Sequence, residues 1–277
     1  MPEQAYLGAA QIGSLVRRME LRPTKKLGQN FVTDANTVRR IVRDAGVQSG
    51  EVVLEVGPGL GSLTVGLLSA GAKVIAIEID ETLAKQLPKT VSELLPEADL
   101  EVVLADALTV TTLPAEPTSL VANLPYNVSV PIILHLLQTF PSIDRALVMV
   151  QSEVGKRIAS VPGSKVYGAP SAKSAWYGAW REVGPVSRQV FWPVPNVDSI
   201  LVSFQRSAQE LGTEAERERT FELIDGAFQQ RRKMLRQALI GELGTDTVPV
   251  LERAGIDPTS RGEQLGVGDF LAIARID

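Results

Sequence analysis

The stretch VVLEVGPGLGS, residues 52–62, contains the pattern that decides the fold. An apolar run rich in valine is followed at once by three glycines in the order G-x-G-x-G, and then by an apolar helical segment over 63–69. The glycines allow a sharp turn and the close approach of a ligand, since a Cβ atom would obstruct both. The stretch therefore predicts a buried strand, a tight turn and a helix, which together begin a βαβ unit.

Further short apolar runs alternate with helical segments as far as residue 150. Because these runs are almost entirely apolar, they predict parallel strands that are buried on both faces, with helices over 82–87 and 130–139 among the connections. The five predicted strands are 52–56, 73–77, 100–104, 119–122 and 146–150. Before them, Thr33 or Asp34 can cap a helix that Gly46 ends.

The pattern changes after residue 150. A helix near 153–159, a loop around 161–170, a helix over 172–179 and an antiparallel pair at 182–190 and 198–204 lead to a polar stretch, 205–218, that is typical of a linker. Helices without strands follow at 221–241, 248–255 and 267–276. We expect an α/β fold with a Rossmann-like sheet and a small all-helical C-terminal domain, divided into domains 1–206 and 207–277.

Composition excludes several kinds of chemistry. The 277 residues contain no cysteine and one histidine, His135. Disulfides, iron–sulfur clusters, zinc–thiolate sites and cysteine nucleophiles are thereby excluded, as are most catalytic triads and multi-histidine metal sites. We expect no metal, and a structural role for His135. The N-terminus has no apolar signal core and no stretch of 18 apolar residues occurs, so we expect a cytoplasmic protein without a membrane partner.

Basic residues are concentrated in two segments, although the formal net charge is −4. Between Gln11 and Asp44 the chain has eight basic and three acidic residues, including Lys25 and Lys26. The second segment carries Arg231, Arg232, Lys233 and Arg236. Such clusters are often only solvated surface, and they indicate phosphate contacts only where they lie beside a site.

Polar residues at the ends of three predicted strands indicate a nucleoside site. Gly57 opens the glycine turn, Glu78 follows the second strand and can accept from both ribose hydroxyls, and Asp106 follows the third and can accept from an adenine amino group. A purely structural turn and a helix cap at Asp106 are the alternatives. The glycine spacing departs from the dinucleotide fingerprint and no P-loop lysine is present, which favours S-adenosylmethionine over NAD or ATP.

The sequence Asn123-Leu124-Pro125-Tyr126 follows the fourth strand and indicates the reaction. An exocyclic amine on a nucleobase is a poor nucleophile, because its lone pair is delocalised into the ring. The Asn123 amide oxygen and the Leu124 carbonyl could accept its two N–H bonds, Pro125 would fix the backbone, and Tyr126 would stack on the base. Phe191 is the candidate for a second ring on the opposite face of an extruded base. An ordinary turn and a core aromatic are the alternatives.

With these motifs in place, the chain resembles the ribosomal RNA adenine dimethyltransferases, and most closely the bacterial small-subunit enzymes of the KsgA (RsmA) type. The resemblance extends over nearly the whole chain. Its six motifs, in order, are Leu27 to Phe31, Glu55 to Leu60, Asn123 to Asn127, Phe191 to Ser199, Phe228 to Lys233 and Arg261 to Leu265. Val32 departs from the family's usual leucine, and the overall acidity is unusual for an RNA-binding protein.

The resemblance implies an S-adenosylmethionine-dependent methyltransferase sheet and a helical rRNA-binding C-terminal domain. It implies transfer of four methyl groups, two to each of two adjacent adenosines in a 3′-terminal hairpin loop of small-subunit rRNA, in an immature particle. We expect a monomer, although the sequence itself leaves the oligomeric state open. The cofactor site would comprise Asn30, Val32, Gly57, Glu78, Asp106 and Asn123. Residues 123–126 and Phe191 would hold the target base. Lys25, Lys26, Arg231, Arg232, Lys233 and Arg236 would contact phosphates.

Three other functions remain open on the sequence. A related enzyme class methylates large-subunit rRNA and confers antibiotic resistance, and it shares the Asn-x-Pro-Tyr loop. The chain could instead act chiefly as a ribosome assembly factor, with methylation secondary. A nicotinamide-dependent oxidoreductase is disfavoured by the glycine spacing.

Overall fold

A computed structural model describes residues 6–23 and 28–276, so the predicted phosphate contacts Lys25 and Lys26 lie outside the described residues. The chain forms two compact units, one of Met1–Gly155 with Arg181–Gln205 and one of Lys156–Trp180 with Arg206–Asp277. The sequence pattern predicted a single division of the chain, after residue 206. In the structure, the segment 156–180 belongs instead with the C-terminal residues. The reason is that Ala172 and Tyr167 contribute their side chains to the core of the helical unit.

The strands of the first unit belong mainly to one sheet of mixed direction. In the described residues this sheet has seven strands, in the order β4-β3-β2-β5-β6-β9-β7. Their bounds are β2 Val52–Val56, β3 Lys73–Glu78, β4 Leu100–Leu104, β5 Ser119–Asn123, β6 Arg145–Gln151, β7 Gly178–Val186 and β9 Ser199–Arg206. The remaining strands, β1 Phe31–Val32 and β8 Phe191–Trp192, pair with each other.

The five predicted parallel strands are confirmed, and the predicted Rossmann-like α/β sheet with them. Neighbouring strands from β4 to β6 pair in parallel, whereas β9 pairs with β6 in antiparallel orientation. The order reverses between β2 and β5, because β3 and β4 extend the sheet on one side and β6 on the other. Such a switch point leaves a crevice at the carboxyl ends of the two strands, which is where ligands bind in open α/β sheets.

Helices α1 to α5 belong to the first unit. They span Ala9–Arg18, Ala35–Ala45, Ser62–Ser69, Glu81–Leu94 and Ser129–Thr139. The Asp34 carboxylate caps α2 by accepting from the Thr37 amide, and Gly46 ends it in a left-handed conformation, as the sequence predicted. Helix α1 was not predicted. It packs Ile12 and Leu15 into the same core as α2 and α3.

Helix α4 continues through Pro88, where the sequence pattern had ended it. A proline inside a helix removes one backbone hydrogen bond and costs about 3 kcal/mol. Leu87 and Val91, on either side of Pro88, are both buried in the core. Burying two such side chains contributes about 1.5–3 kcal/mol each, which is enough to offset that cost.

The second unit is predominantly helical. Helix α6, Ser152–Ile158, leads into it, and its further helices α7 to α12 are Ala169–Ser174, Glu214–Gln229, Leu235–Ala238, Ile240–Leu243, Thr247–Arg253 and Val267–Ile276. The predicted linker 205–218 is wrong in part, because β9 continues to Arg206 and α8 begins at Glu214 after the Thr213 cap. None of the described helices is both long and apolar enough to cross a membrane.

Candidate active site

A cavity of about 230 Å³ opens at the switch point of the sheet, and we call it the main cavity. Gly57, directly after β2, and Asn123, at the end of β5, both line it. A Cβ atom added at Gly57 would lie 4.0 Å from the Asn123 carbonyl oxygen, so the two strand ends approach closely. The sheet thus brings together residues that are 66 positions apart in the sequence.

The glycine turn is shaped by a close contact with an aromatic ring. Gly59 has φ of +58°, and a Cβ atom added there would lie 2.7 Å from Phe31 Cδ1. Side chains rarely adopt this φ, and such a contact is too short for a carbon pair, so only glycine fits. The Phe31 ring also lines the main cavity, which the sequence analysis did not predict. Gly59 and Phe31, which both line the main cavity, therefore pack directly against each other.

Glu78 lies at the end of β3 with its side chain almost fully buried, and it lines the main cavity. Its Oε2 accepts from the Gly59 amide at 3.2 Å and its Oε1 accepts from the Asp80 amide at 2.9 Å. Burial raises the pKa of Glu78, and the two backbone N–H groups act against that rise. These bonds fix the carboxylate, and each of its oxygens keeps a second lone pair for a ligand hydroxyl.

Asp106, two residues after the end of β4, lines the main cavity. Its Oδ1 accepts from the Leu108 amide at 2.9 Å within a turn over 107–109, and no helix begins there, so the helix cap considered as an alternative on the sequence is wrong. The same residue is nevertheless part of the cavity wall, beside Ala105 and Ala107. The turn bond and a ligand contact are compatible at this position, because the carboxylate has a second oxygen.

The loop that follows β5 presents two acceptor atoms. The Asn123 Nδ2 group donates to the Asn30 carbonyl oxygen at 3.1 Å, which fixes the amide plane, and the Leu124 amide donates to the Met149 carbonyl oxygen at 3.0 Å. Among the described residues, none donates a hydrogen bond to Asn123 Oδ1 or to the Leu124 carbonyl oxygen. Both residues line the main cavity. The loop can therefore accept two N–H groups from a ligand.

Tyr126 also lines the main cavity, and its hydroxyl is tied to β9. The hydroxyl forms a hydrogen bond of 2.6 Å with Ser199 Oγ. Desolvation raises the pKa of Tyr126, so its hydroxyl stays protonated near neutral pH. The bond to Ser199 anchors the far end of the ring, and the side chain is suited to hold a ligand by its face more than to remove a proton.

A segment that the sequence analysis treated only in part, Gly28–Asn30, closes one side of the main cavity. Gln29 Nε2 donates to Asp80 Oδ2 at 3.0 Å, and the Asn30 carbonyl accepts from Asn123. We call these two bonds the clasp. One bond connects the segment to Asp80, whose amide donates to Glu78. The other connects it to Asn123, at the end of β5. The motif 27–31 was the sequence signal for this segment, but it did not reveal the Gln29 partner.

Two of the residues predicted to bind the cofactor or the target base lie outside the main cavity. Val32 is buried, its carbonyl accepts from Ser62 Oγ at 2.6 Å, and it lines a smaller adjoining cavity of about 20 Å³. Phe191 is 2% exposed and packs in the core of the first unit. The structure therefore does not bring Phe191 to the main cavity. Its role in holding a base stays a prediction.

The other predicted positions are more widely spread. His135 Nε2 donates to the Val110 carbonyl oxygen at 2.8 Å, which supports the structural role expected for this residue. In the second unit, Arg231 pairs with Glu263 at 2.8 Å and donates to the Lys165 carbonyl. The side chains of Arg232, Lys233 and Arg236 are exposed.

A second buried carboxylate, Glu55 on β2, lines the smaller cavity. It accepts from Thr64 Oγ1 at 2.7 Å. Burial raises the pKa of Glu55 to about 8, the Thr64 bond acts against the rise, and the nearby Glu78 adds to it. At neutral pH this side chain is therefore mainly uncharged, which limits the negative charge beside the glycine turn.

Comparisons with known proteins agree on one family. A model of the family described as "Ribosomal RNA adenine dimethylase" matches residues 21–276. The chain is 62% identical to the Ribosomal RNA small subunit methyltransferase A of Leifsonia xyli subsp. xyli, over 99% of both chains. The protein of the same name from Streptomyces avermitilis is 53% identical, over 98% of this chain and 93% of that protein.

Two solved structures share the fold over most of the chain. A dimethyladenosine transferase from Plasmodium falciparum superposes with a TM-score of 0.74 at 26% identity, over 87% of this chain and 94% of that one. The 23S rRNA methyltransferase ErmE superposes with a TM-score of 0.66 at 28% identity, over 89% and 98%. Both resemble this chain well beyond the sheet alone.

Proposed function

The chain belongs to the ribosomal RNA adenine dimethylase family, and we propose on that premise that it dimethylates the 6-amino groups of two adjacent adenosines in the 3′-terminal hairpin loop of 16S rRNA. The methyl donor in this proposal is S-adenosylmethionine, and the substrate is an assembling small ribosomal subunit. The names of its relatives at 53% and 62% identity refer to the small subunit, which supports 16S rRNA over 23S rRNA.

The main cavity fits the donor by the character of its walls. Glu78 offers buried carboxylate oxygens for the ribose hydroxyls, and Asp106 offers one for an adenine amino group. Ile79 and Leu108 supply apolar surface between them. Gly59 lets the turn pack closely against Phe31, where a Cβ atom would clash. When bound, S-adenosylmethionine supplies a methyl group on a positively charged sulfur, which is electrophilic without a metal.

The observation that carries the proposal is the pair of unoccupied acceptors, Asn123 Oδ1 and the Leu124 carbonyl oxygen. Two acceptors that bind the N–H bonds of a 6-amino group draw its nitrogen towards a tetrahedral geometry and orient its lone pair. Pro125 restricts the backbone between them and Tyr126. Such preorganised groups stabilise charge that develops during a reaction without reorganising themselves.

No general base is needed in this proposal. The N–CH3 bond forms as the S–CH3 bond of the donor breaks, so the amine gains positive charge as the donor loses it, and the acceptors stabilise the N–H groups on which that charge falls. The resulting ammonium is strongly acidic and releases one N–H proton to water after the transfer. The raised pKa of Tyr126 agrees with a positioning role for its ring. Most of the rate increase would then come from holding amine and donor in line.

Contacts outside the cavity complete the proposal. Arg232, Lys233 and Arg236 are exposed cations of the second unit, and with Lys25 and Lys26 they would contact RNA phosphates. Arg231 is committed to Glu263 and would contribute less. We further propose that the protein acts as a monomer in the cytoplasm.

The experiment replaces Asn123 by alanine and uses Asn36→Ala, an exposed position on α2, as the matched control. Transfer of tritiated methyl groups to small subunits from cells that lack the gene is measured at saturating donor. We expect kcat to fall roughly a hundredfold or more in Asn123→Ala, as for loss of one preorganised donor or acceptor in other active sites. The control should keep wild-type kcat. A variant with more than a tenth of wild-type kcat would contradict the proposed acceptor role.

A second candidate function is methylation of 23S rRNA, which the similarity to ErmE favours. Offering immature small and large subunits together separates the two, since label in the large-subunit RNA would overturn our choice. If the protein acts mainly in assembly, Asn123→Ala should keep both its affinity for the particle and its cellular function.

A further inference from the structure

Trp192 is the one aromatic side chain among the exposed large apolar residues of the described chain. It is 37% exposed, whereas the preceding Phe191 is 2% exposed and faces the core. This follows from the alternation of side chains along β8. An exposed tryptophan places a large apolar surface in water, and such a surface close to the main cavity can contact a bound ligand.

Strand β8 carries Trp192 to the wall of the main cavity. In the antiparallel pair β1–β8, Trp192 lies opposite Phe31. The two rings stack with centroids 6.2 Å apart and planes inclined by 20°. Phe31 lines the main cavity and packs on the turn at Gly59. The indole is therefore separated from the cavity by a single ring.

The surroundings of Trp192 are held in place. The Arg188 amide donates to Asp198 Oδ1 at 2.9 Å, and the Arg188 guanidinium donates to the Asn196 carbonyl oxygen at 2.9 Å, which fixes the loop that follows β8. Val194 and Val197 in this loop are 52% and 44% exposed. The result is a rigid apolar surface with an exposed cation at its edge, which suits a base with its phosphate.

We propose that Trp192 stacks on the nucleobase adjacent to the adenosine under modification. This deepens the proposed function and rests on it. An adenosine that enters the main cavity leaves its stack, so the neighbouring base loses one partner and exposes a face. A tryptophan one ring away from the cavity can replace that partner. Stacking tolerates any base, so Trp192 would serve equally when either of two adjacent adenosines is in the cavity.

The test compares Trp192→Leu, which keeps apolar packing on Phe31 but has no flat ring, with Trp192→Phe, which keeps a ring. Loss of one base–aromatic stack corresponds to about 1–3 kcal/mol, or roughly 5- to 150-fold. We expect Trp192→Leu to raise KM for undermethylated small subunits roughly tenfold, with unchanged kcat and unchanged Kd for the donor. Trp192→Phe should recover most of this loss. Val183→Ala, an exposed position on β7, is the matched control and should leave KM unchanged.

Two results would overturn the inference. One is a KM for Trp192→Leu within twofold of wild type. The other is a rise in donor Kd as large as the rise in KM, because Trp192 would then serve only to pack Phe31 at the donor site. Failure of the proposed function is distinguishable, since the wild-type protein itself would then transfer no methyl groups to small-subunit RNA.

Discussion

Replacing Glu55 by glutamine should remove a pH dependence from the stability of the protein. The folded-state pKa of Glu55 is about 8 against an ordinary value of 4.5, with burial as its main cause. Because the folded state keeps a proton that the unfolded state releases, the contribution of Glu55 is fully present below pH 4.5 and is lost as the pH rises to 8. The free energy of unfolding should fall by about 1.4 kcal/mol per pH unit in this window.

Glutamine has no charge to neutralise, and its amide oxygen can still accept from Thr64. The stability of Glu55→Gln relative to wild type should therefore rise from near zero at pH 4.5 to about 3 kcal/mol at pH 7 and about 4 kcal/mol at pH 8. Urea unfolding without donor, followed by circular dichroism from pH 4.5 to 8.5, measures it. Glu101→Gln, an exposed position on β4, should show no such rise. A difference between Glu55→Gln and wild type that does not change with pH would refute the reasoning.

Three further outcomes are expected. Gly59→Ala should weaken donor binding at least tenfold by calorimetry, because the added Cβ atom would lie 2.7 Å from the Phe31 ring in the cavity wall. Gly50→Ala is the control: Gly50 also has a positive φ but open space around it, so donor binding should not change. Gln29→Ala removes one bond of the clasp and should speed release of S-adenosylhomocysteine several-fold in stopped flow. Gln48→Ala is the control and should not change this rate, because the Gln48 side chain donates to the nearby Gly46 carbonyl oxygen. Arg232→Ala should weaken binding to RNA of any sequence and reduce the salt dependence of that binding by about one ion; an unchanged salt dependence would exclude a phosphate contact.

The sheet was predictable because its signal is local. Each apolar run is long enough to form a strand, and alternation with helices specifies parallel pairing. The start of α8 carries an equally local signal, since Thr213 and Glu216, three residues apart, form a capping box. The passage of α4 through Pro88 was not predictable from local preference, because burial of neighbouring side chains decides it.

The candidate site divides in the same way. Gly57, Glu78 and Asn123 could be placed from the sequence, because the carboxyl ends of parallel strands meet at one edge of the sheet. Contacts between distant segments could not be placed. The stack of Phe31 on Trp192 and the inward packing of Phe191 both depend on the pairing of β1 with β8, across about 160 residues.

That short pair of strands joins a wall of the main cavity, at Phe31, to the surface around Trp192. Phe31 and Val32 follow the segment of the clasp, while Phe191 and Trp192 precede the exposed apolar loop, and the backbone pairing joins the two segments into one piece. If bound donor orders this piece and thereby tightens RNA binding by some factor, bound RNA must tighten donor binding by the same factor. Spent donor would then be held more tightly in the RNA complex than in the free protein, so its exchange for fresh donor would limit successive transfers within one encounter.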